Sequence, residues 1–384
     1  MALLAKIPSP PQANLTLELQ FGATIKETEN KRTSTFPAEW FPQSGVQLTW
    51  PHKDTDWADM LNEVTECYVR MAFEISSRET LLIISPEPDE VRALLEQRLP
   101  AKATRNILYA TCATNDTWAR DHAFITVFTD SRTQLLDFGF NGWGHKFEAK
   151  LDNAINRQLY DNNQMLKGEY VDKLDFLFEG GSIESDGCGT LLTTSNCLLS
   201  SERNPQMNKA EIEEYLKQTL HSERVLWLDY GNLLGDDTDS HIDTLVRFCS
   251  ATTLAYVKCE DEQDEHFESL HLMEEQLKSF RTSEGEPYTL LPLPLPAAIY
   301  DDGARLPATY ANFLILNGAV LYPTYAQPEL DELARKQLQK AFTKLAVIGI
   351  DCQPLIQQHG SLHCCTMQYP MGVLPPSITS EKTI

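Results

Sequence analysis

Gly360-Ser361-Leu362-His363-Cys364-Cys365-Thr366 is the last of a series of short polar segments spread along the chain. Upstream lie Asn115-Asp116-Thr117-Trp118-Ala119-Arg120-Asp121, Phe178-Glu179-Gly180-Gly181-Ser182 and Gly235-Asp236-Asp237-Thr238-Asp239-Ser240-His241-Ile242-Asp243. Asp121, Glu179, Asp243, Asn312 and Cys364 are separated by 58, 64, 69 and 52 residues. Roughly even spacing of this kind hints at repeated structural units, each giving one side chain to a shared centre. The intervals share no visible residue identity, so the spacing alone stays a hint.

The intervening sequence reads as pairs of strands alternating with single helices. Residues 47–51 form an expected strand, and from Asp56 the apolar positions Trp57, Met60, Leu61, Val64, Cys67, Tyr68, Met71 and Ile75 follow helical spacing. Further strands are expected at 81–85, 107–111, 124–128, 135–138, 225–229, 244–248, 253–258 and 346–350. Helices are expected at 86–99, 210–220, 262–279 and 328–342. Asn317-Gly318 marks a hairpin between strands 313–316 and 319–322. This is not a plain alternation of single strands and helices. Residues 1–36, polar and proline-bearing at the start, read as a partly loose N-terminal segment, and residues 37–384 as one catalytic domain.

The chain carries 55 acids against 32 bases, a net charge of −23. That balance argues against nucleic acid as a partner, since phosphate binding needs a basic surface. It suits steering of small cations, although acidity also serves plain solubility. Nine cysteines without a C-x-x-C pair read as buried thiols in a reducing compartment, with no zinc-finger spacing. No signal peptide and no run of 18 apolar residues is visible. The expectation is a cytoplasmic protein with no membrane partner and room for a homo-oligomer.

Each polar segment has a plain structural reading beside a chemical one. Cys364 follows a glycine in a run that reads as extended, where side chains alternate faces. His363 and Cys365 would then point away from Cys364, and any base would come from elsewhere; equally, Cys364 is one of nine cysteines in a terminal strand. If extended, His241, Asp243 and Asp239 share a face, which offers an imidazole with adjacent carboxylates for acid–base work. The same acids could be an exposed turn or a calcium loop, though the EF-hand pattern is not met. Glu179 ends an apolar strand before two glycines, where a charge calls for a partner. Trp118 with Asp121 offers a ring beside a carboxylate for a cation, or simply a capped turn with a core tryptophan.

Taken in order, Trp118-Ala-Arg-Asp121, Phe178-Glu-Gly-Gly-Ser182, Asp236-Asp-Thr-Asp-Ser-His241-Ile-Asp243 and His363-Cys364 resemble the agmatine deiminase and bacterial-type peptidylarginine deiminase family. The similarity runs from about Trp50-Pro51 to Pro370. It includes Asp137-Phe-Gly-Phe-Asn-Gly-Trp143, Glu202-Arg-Asn-Pro205 and Pro307-Ala-Thr-Tyr-Ala-Asn-Phe313. The resemblance implies the pentein fold, a five-bladed α/β propeller with pseudo-fivefold symmetry. It implies Cys364 as nucleophile, His241 as general acid/base and Glu179 as the histidine's partner. It implies Asp121 and Asp243 as guanidinium-binding carboxylates and Trp118 as a channel-lining ring. Many plant-type relatives have Gly-Gly-Gly-Asn before Ile-His-Cys, where this chain has Gln358-His359-Gly360-Ser361-Leu362, which leaves the fine substrate preference open.

The chemistry then expected is hydrolysis of a small cationic guanidino substrate through a thiouronium on Cys364, without metal or cofactor. Agmatine leads, since Asp237 and Asp239 suit an amine tail and only Arg120 stands near to clamp a carboxylate. Peptidylarginine deimination is the alternative. An amidinotransferase of the same fold and a non-catalytic binding propeller stand further back.

Overall fold

The computed structural model describes residues 35–130, 132–163 and 165–376. The expected segment 1–36 therefore lies outside the described residues, apart from Thr35 and Phe36. Among the described residues the strands form five sheets of three or four strands and one small hairpin, 300–305. The five sheets share a plan: two antiparallel strands, a helix, then a third strand parallel to the second. Ile125–Thr129 and Arg132–Gly139 pair antiparallel, the helix Ile155–Asn163 follows, and Glu169–Leu177 runs parallel to the second strand. Ile183–Ser185, Thr190–Thr194 and Arg224–Leu228 repeat this around the helix Lys209–Thr219. Val246–Ser250, Thr253–Lys258 and Thr289–Pro294 do so around Phe267–Ser279. Leu314–Leu316, Ala319–Thr324 and Ala346–Asp351 do so around Pro328–Ala341.

The fifth unit is split between the two ends of the chain. Thr366–Pro370 pairs antiparallel with Gln43–Thr49, which pairs in parallel with Thr80–Ser85 after the helix Leu61–Ser76. A second helix, Pro88–Arg98, leads to a fourth strand, Ile107–Thr111. Sequence-distant ends are thus joined by one sheet, and a helix buried along Val64, Cys67, Tyr68, Met71 and Ile75 packs against it.

Local chemistry explains the boundaries. Pro88 and Pro328 stand in the first turns of their helices, where a missing N–H costs nothing. Asn208 and Glu211 form a reciprocal capping box at Lys209. Gly318, at φ +81°, turns the expected hairpin. Thr289–Pro294 was unexpected as a strand because Pro292 and Pro294 lack N–H groups. It is an edge strand, where a ladder tolerates that. Glu169–Leu177 is longer than the apolar strand expected just before Glu179, because its first half mixes charges with half-buried Tyr170 and Val171.

Candidate active site

Each of the five evenly spaced residues stands two to four positions before the first strand of a unit. Asp121 precedes Ile125, Glu179 precedes Ile183, Asp243 precedes Val246, Asn312 precedes Leu314 and Cys364 precedes Thr366. Four of these lead-ins carry a short helical turn, at 119–122, 180–182, 242–244 and 363–365. The first packs on the second and fourth, and the second packs on the third. The shared plan of the units thus gathers residues far apart in sequence.

Two local expectations are corrected. His363–Cys365 is a 3-10 turn, and the strand starts only at Thr366, so strand alternation does not set the direction of Cys364. His241–Asp243 is not extended either. Asp239 and Ser240 are left-handed, at φ +64° and +68°, and His241 caps the 3-10 turn 242–244. The turn is built by Asp236, whose carboxylate accepts from Thr238 N, Thr238 Oγ1 and Ser240 N.

Cys364 Sγ lies 3.4 Å from Asn312 Oδ1 and 4.0 Å from Asp243 Oδ2. Asn312 Oδ1 also accepts the His363 and Cys364 N–H groups, which pins the turn. Asp243 Oδ2 accepts from His363 Nδ1 at 2.8 Å, while Oδ1 is buried and without a hydrogen bond. Asp121 accepts from Gly181 N at 3.0 Å and from Trp143 Nε1 at 2.9 Å. His241 Nδ1 lies 3.6 Å from Asp121 Oδ1, and neither ring nitrogen makes a hydrogen bond. Gly181 has to be glycine: a Cβ there would stand 2.5 Å from His241 Nδ1.

Glu179 finds the partner its burial demands. Both its oxygens accept from Arg203 Nε, at 3.0 and 2.9 Å. Arg203 also donates to Asp239 Oδ2 at 2.6 Å and to Thr238 O at 2.9 Å. Lys146 takes Asp239 Oδ1 and Asp237 O. Asp239 is therefore held in two ion pairs, not left free for an amine tail as expected. Asp237 keeps a partly exposed carboxylate, 3.9 Å from His359 Nδ1. Trp118 is buried; it donates to Asp116, and its ring lies between Trp57 and Gly360, where a Cβ would meet the indole at 2.2 Å. Arg120 lies behind the cysteine turn, its Nε 3.5 Å from His363 O, and lines a cavity of about 40 Å³ with Glu39 and Glu184.

Sequence reasoning did not find Arg203, Trp143, Lys146, Glu39, Glu184 or Arg247 as site residues. Arg203 and Trp143 lie in segments that carried the resemblance, so a signal was present. The others are single charges in unremarkable contexts. Among the described residues two triads have metal-ligating chemistry, Glu179–Cys197–His241 and Glu39–Glu184–His363. In each an arginine already supplies the cation: Arg203 on Glu179, and Arg247 on both Glu39 and Glu184.

Electrostatics follow from burial and neighbours. Burial pushes Asp121 up to about 6, against the pull of His241. Burial would lower His241, but Asp121, then Cys197 and Glu179, outweigh it and raise the imidazole to about 10. Asp243 is lowered: burial opposes this, and His363, His241 and Arg247 overcome it. Cys364 is raised well above an ordinary thiol by burial and by Asp243 and Asp121. The resting site is thus an imidazolium and two carboxylates around a neutral thiol.

A buried cysteine beside paired carboxylates and an imidazolium defines a hydrolase of guanidino C–N bonds, and the comparisons agree. The profile of the Porphyromonas-type peptidyl-arginine deiminase family matches residues 35–370, and the chain belongs to this family of agmatine and peptidyl-arginine deiminases in the pentein superfamily. A Legionella pneumophila (strain Paris) protein named "Putative agmatine deiminase" is 32% identical over 340 residues, 87% of this chain and 94% of that protein. A solved structure titled "Putative Arginine Deiminase from Porphyromonas gingivalis" superposes with a TM-score of 0.84 at 49% identity, covering 89% of this chain and 100% of that one. A cysteine-to-serine variant of C. jejuni agmatine deiminase with substrate bound gives 0.81 at 37% identity, covering 89% and 97%. No helix of the described residues is long and apolar enough to cross a membrane.

Proposed function

We propose that the protein is an agmatine deiminase, converting agmatine and water to N-carbamoylputrescine and ammonia. One observation carries this reading. Of the buried carboxylates around the site, Glu179, Glu39 and Glu184 are paired with arginine, whereas Asp121 and Asp243 have no arginine or lysine partner among the described residues. Two carboxylates left over beside a thiol are a receptor for one more guanidinium. The five lead-ins around them, one per unit and four of them with a helical turn, support reading the units as blades of a propeller with pseudo-fivefold symmetry.

Asp121 and Asp243 hold the guanidinium and set its carbon near Cys364 Sγ. The bound cation stabilises the thiolate, which lowers the raised thiol into a reactive range. Sulfur attacks the guanidinium carbon, and the His241 imidazolium protonates the departing nitrogen, which leaves as ammonia. The S-alkylthiouronium stays on Cys364. Neutral His241 then takes a proton from water, the oxygen adds to the same carbon, and the C–S bond breaks to release the ureido product. Glu179, fixed by Arg203, supports the charged imidazole throughout. Asp237 is the carboxylate available to the ammonium end, and Asp239 positions the turn. The near-complete burial of His241, Asp243 and Cys364 favours a small substrate over a peptide.

The test is ammonia release from agmatine, arginine and a blocked peptidylarginine compared at low and high salt. A much higher kcat/KM for agmatine than for arginine, narrowing as salt screens Asp237, is the expected result. Better turnover of the blocked peptidylarginine refutes the proposal.

A further inference from the structure

We infer that His363 is a positioning residue for Asp243, holding one carboxylate oxygen so that the other is presented to the substrate guanidinium. The inference rests on the reading above that Asp121 and Asp243 receive that group.

The geometry assigns each ring nitrogen a task. Nδ1 lies 2.8 Å from Asp243 Oδ2, and an ionised carboxylate only accepts, so Nδ1 carries the proton and donates. Nε2 lies 2.8 Å from Glu39 Oε2 and 3.1 Å from Arg247 Nη2. Both nitrogens are taken, and neither is hydrogen-bonded to Cys364. His363 is therefore not the base for its neighbour. The expectation that the two side chains point apart does not hold, since His363 Nδ1 and Cys364 Sγ both approach Asp243 Oδ2.

The far end of the chain of contacts is rigid. Glu39 Oε1 accepts from Ile315 N at 2.6 Å, and its Oε2 accepts from Arg247 Nη2 at 2.7 Å. Arg247 donates in turn to Glu184 Oε1 and to Phe313 O. The His363 backbone is fixed too: its N–H donates to Asn312 Oδ1, and its carbonyl accepts from Thr366 Oγ1 at 2.9 Å. Arg247, Glu39, His363 and Asp243 thus form one buried line from the interior to the reacting centre. Only its last atom, Asp243 Oδ1, is without a partner.

The consequence is a fixed carboxylate plane. Oδ2 is held by His363, so turning the carboxylate about its Cβ–Cγ bond costs that hydrogen bond, and Oδ1 is the oxygen left without a partner. A second-shell donor that orients a ligating carboxylate is a familiar device at metal sites, and the same physics applies to an organic cation. A role confined to packing would need only the ring's volume. It would not require a donor aimed at Asp243.

The experiment uses the full chain in a Cys364→Ser background, so that binding is read without turnover. Methylguanidinium and agmatine are titrated calorimetrically into this protein and into versions also carrying His363→Asn or His363→Gln. The Asn amide nitrogen occupies the place of Nδ1 and keeps the bond to Asp243 while abandoning Glu39. The Gln amide reaches toward Glu39 and abandons Asp243. His363→Gln should weaken methylguanidinium binding at least ten-fold, and His363→Asn less than three-fold. In the active enzyme, His363→Gln should raise the KM for agmatine by more than it lowers kcat. Equal losses in both variants, or greater loss with Asn, overturn the inference, because a structural role would act that way. If His363→Gln does not fold, the proton resonance of His363 Nδ1–H in the Cys364→Ser protein decides. It should move when methylguanidinium binds, and a fixed resonance overturns the inference. A wild-type enzyme that releases no ammonia from agmatine refutes the substrate assignment instead, and the methylguanidinium titrations still judge His363.

Discussion

Replacing Glu179 by Gln removes one buried charge and little volume. The carboxylate is about 1% exposed, accepts twice from Arg203 Nε, and lies with its ligating oxygen within 4.8 Å of His241. At that separation and an effective dielectric of about 20, the attraction to an imidazolium is roughly 3 kcal/mol. At about 1.4 kcal/mol per pH unit, losing it favours the neutral imidazole by about two units. Arg203, left facing an amide, pushes the same way. The general acid should therefore lose its proton at lower pH, and the alkaline limb of the kcat profile should move acidward by about two units. Stability should fall as well, because Arg203 keeps only Asp239 as a charged partner; breaking a buried pair costs about 3–5 kcal/mol. Ammonia release from agmatine across pH 6–10, with a thermal melt on the same sample, measures both. An unmoved alkaline limb with kcat intact would show that Glu179 does not sustain the imidazolium, whatever the melt shows.

Cys364→Ser should abolish ammonia release while retaining agmatine binding. Cys365→Ser should keep turnover and lose about 1–2 kcal/mol of stability from a buried hydroxyl, read by denaturant melts; equal loss of turnover in both refutes Cys364 as nucleophile. Asp121 must be ionised to hold substrate, and burial raises it to about 6, so kcat/KM should fall as pH drops through about 6. The kcat limb should lie lower, because a bound cation favours the carboxylate; a flat kcat/KM down to pH 5 contradicts the assignment. Asp237→Asn should raise the KM for agmatine several-fold and leave methylguanidinium binding unchanged, and calorimetry with both ligands checks this.

Much of the site was legible because one chemical residue stands before the first strand of each unit. That rule shows as spacing without any shared identity, and it placed Asp121, Glu179, Asp243, Asn312 and Cys364 in one series. The directions of side chains were not legible. A run such as Ser361–Thr366 looks extended by composition, yet Asn312 Oδ1 gathers two successive N–H groups and curls it into a turn. The turn before His241 hid in the same way, since left-handed Asp239 and Ser240 carry no glycine to announce them. The buried pairs Arg203–Glu179 and Arg247–Glu39 span 24 and 208 positions. No periodicity within a helix or strand records a partner chosen by the packing of whole units.

The strain at Asp239 and Ser240 explains why so many charges converge on a short turn. A left-handed residue other than glycine costs on the order of 1–3 kcal/mol, and two in succession would open unless held. Asp236 ties the turn from inside through Thr238 and Ser240. Arg203 holds it from below through Thr238 O and Asp239, and Lys146 holds it through Asp237 O and Asp239. The same Arg203 fixes Glu179, which lies beside His241. One planar guanidinium therefore sets both the backbone that carries the imidazole and the carboxylate that sustains its charge. A lysine there would supply the charge but not the fork, so it could not hold the turn and Glu179 together. The acids of this segment that looked like a tail-binding cluster are mostly spent on building the turn, and Asp237, whose side chain takes no part in that bonding, is the carboxylate the proposal assigns to the ammonium end.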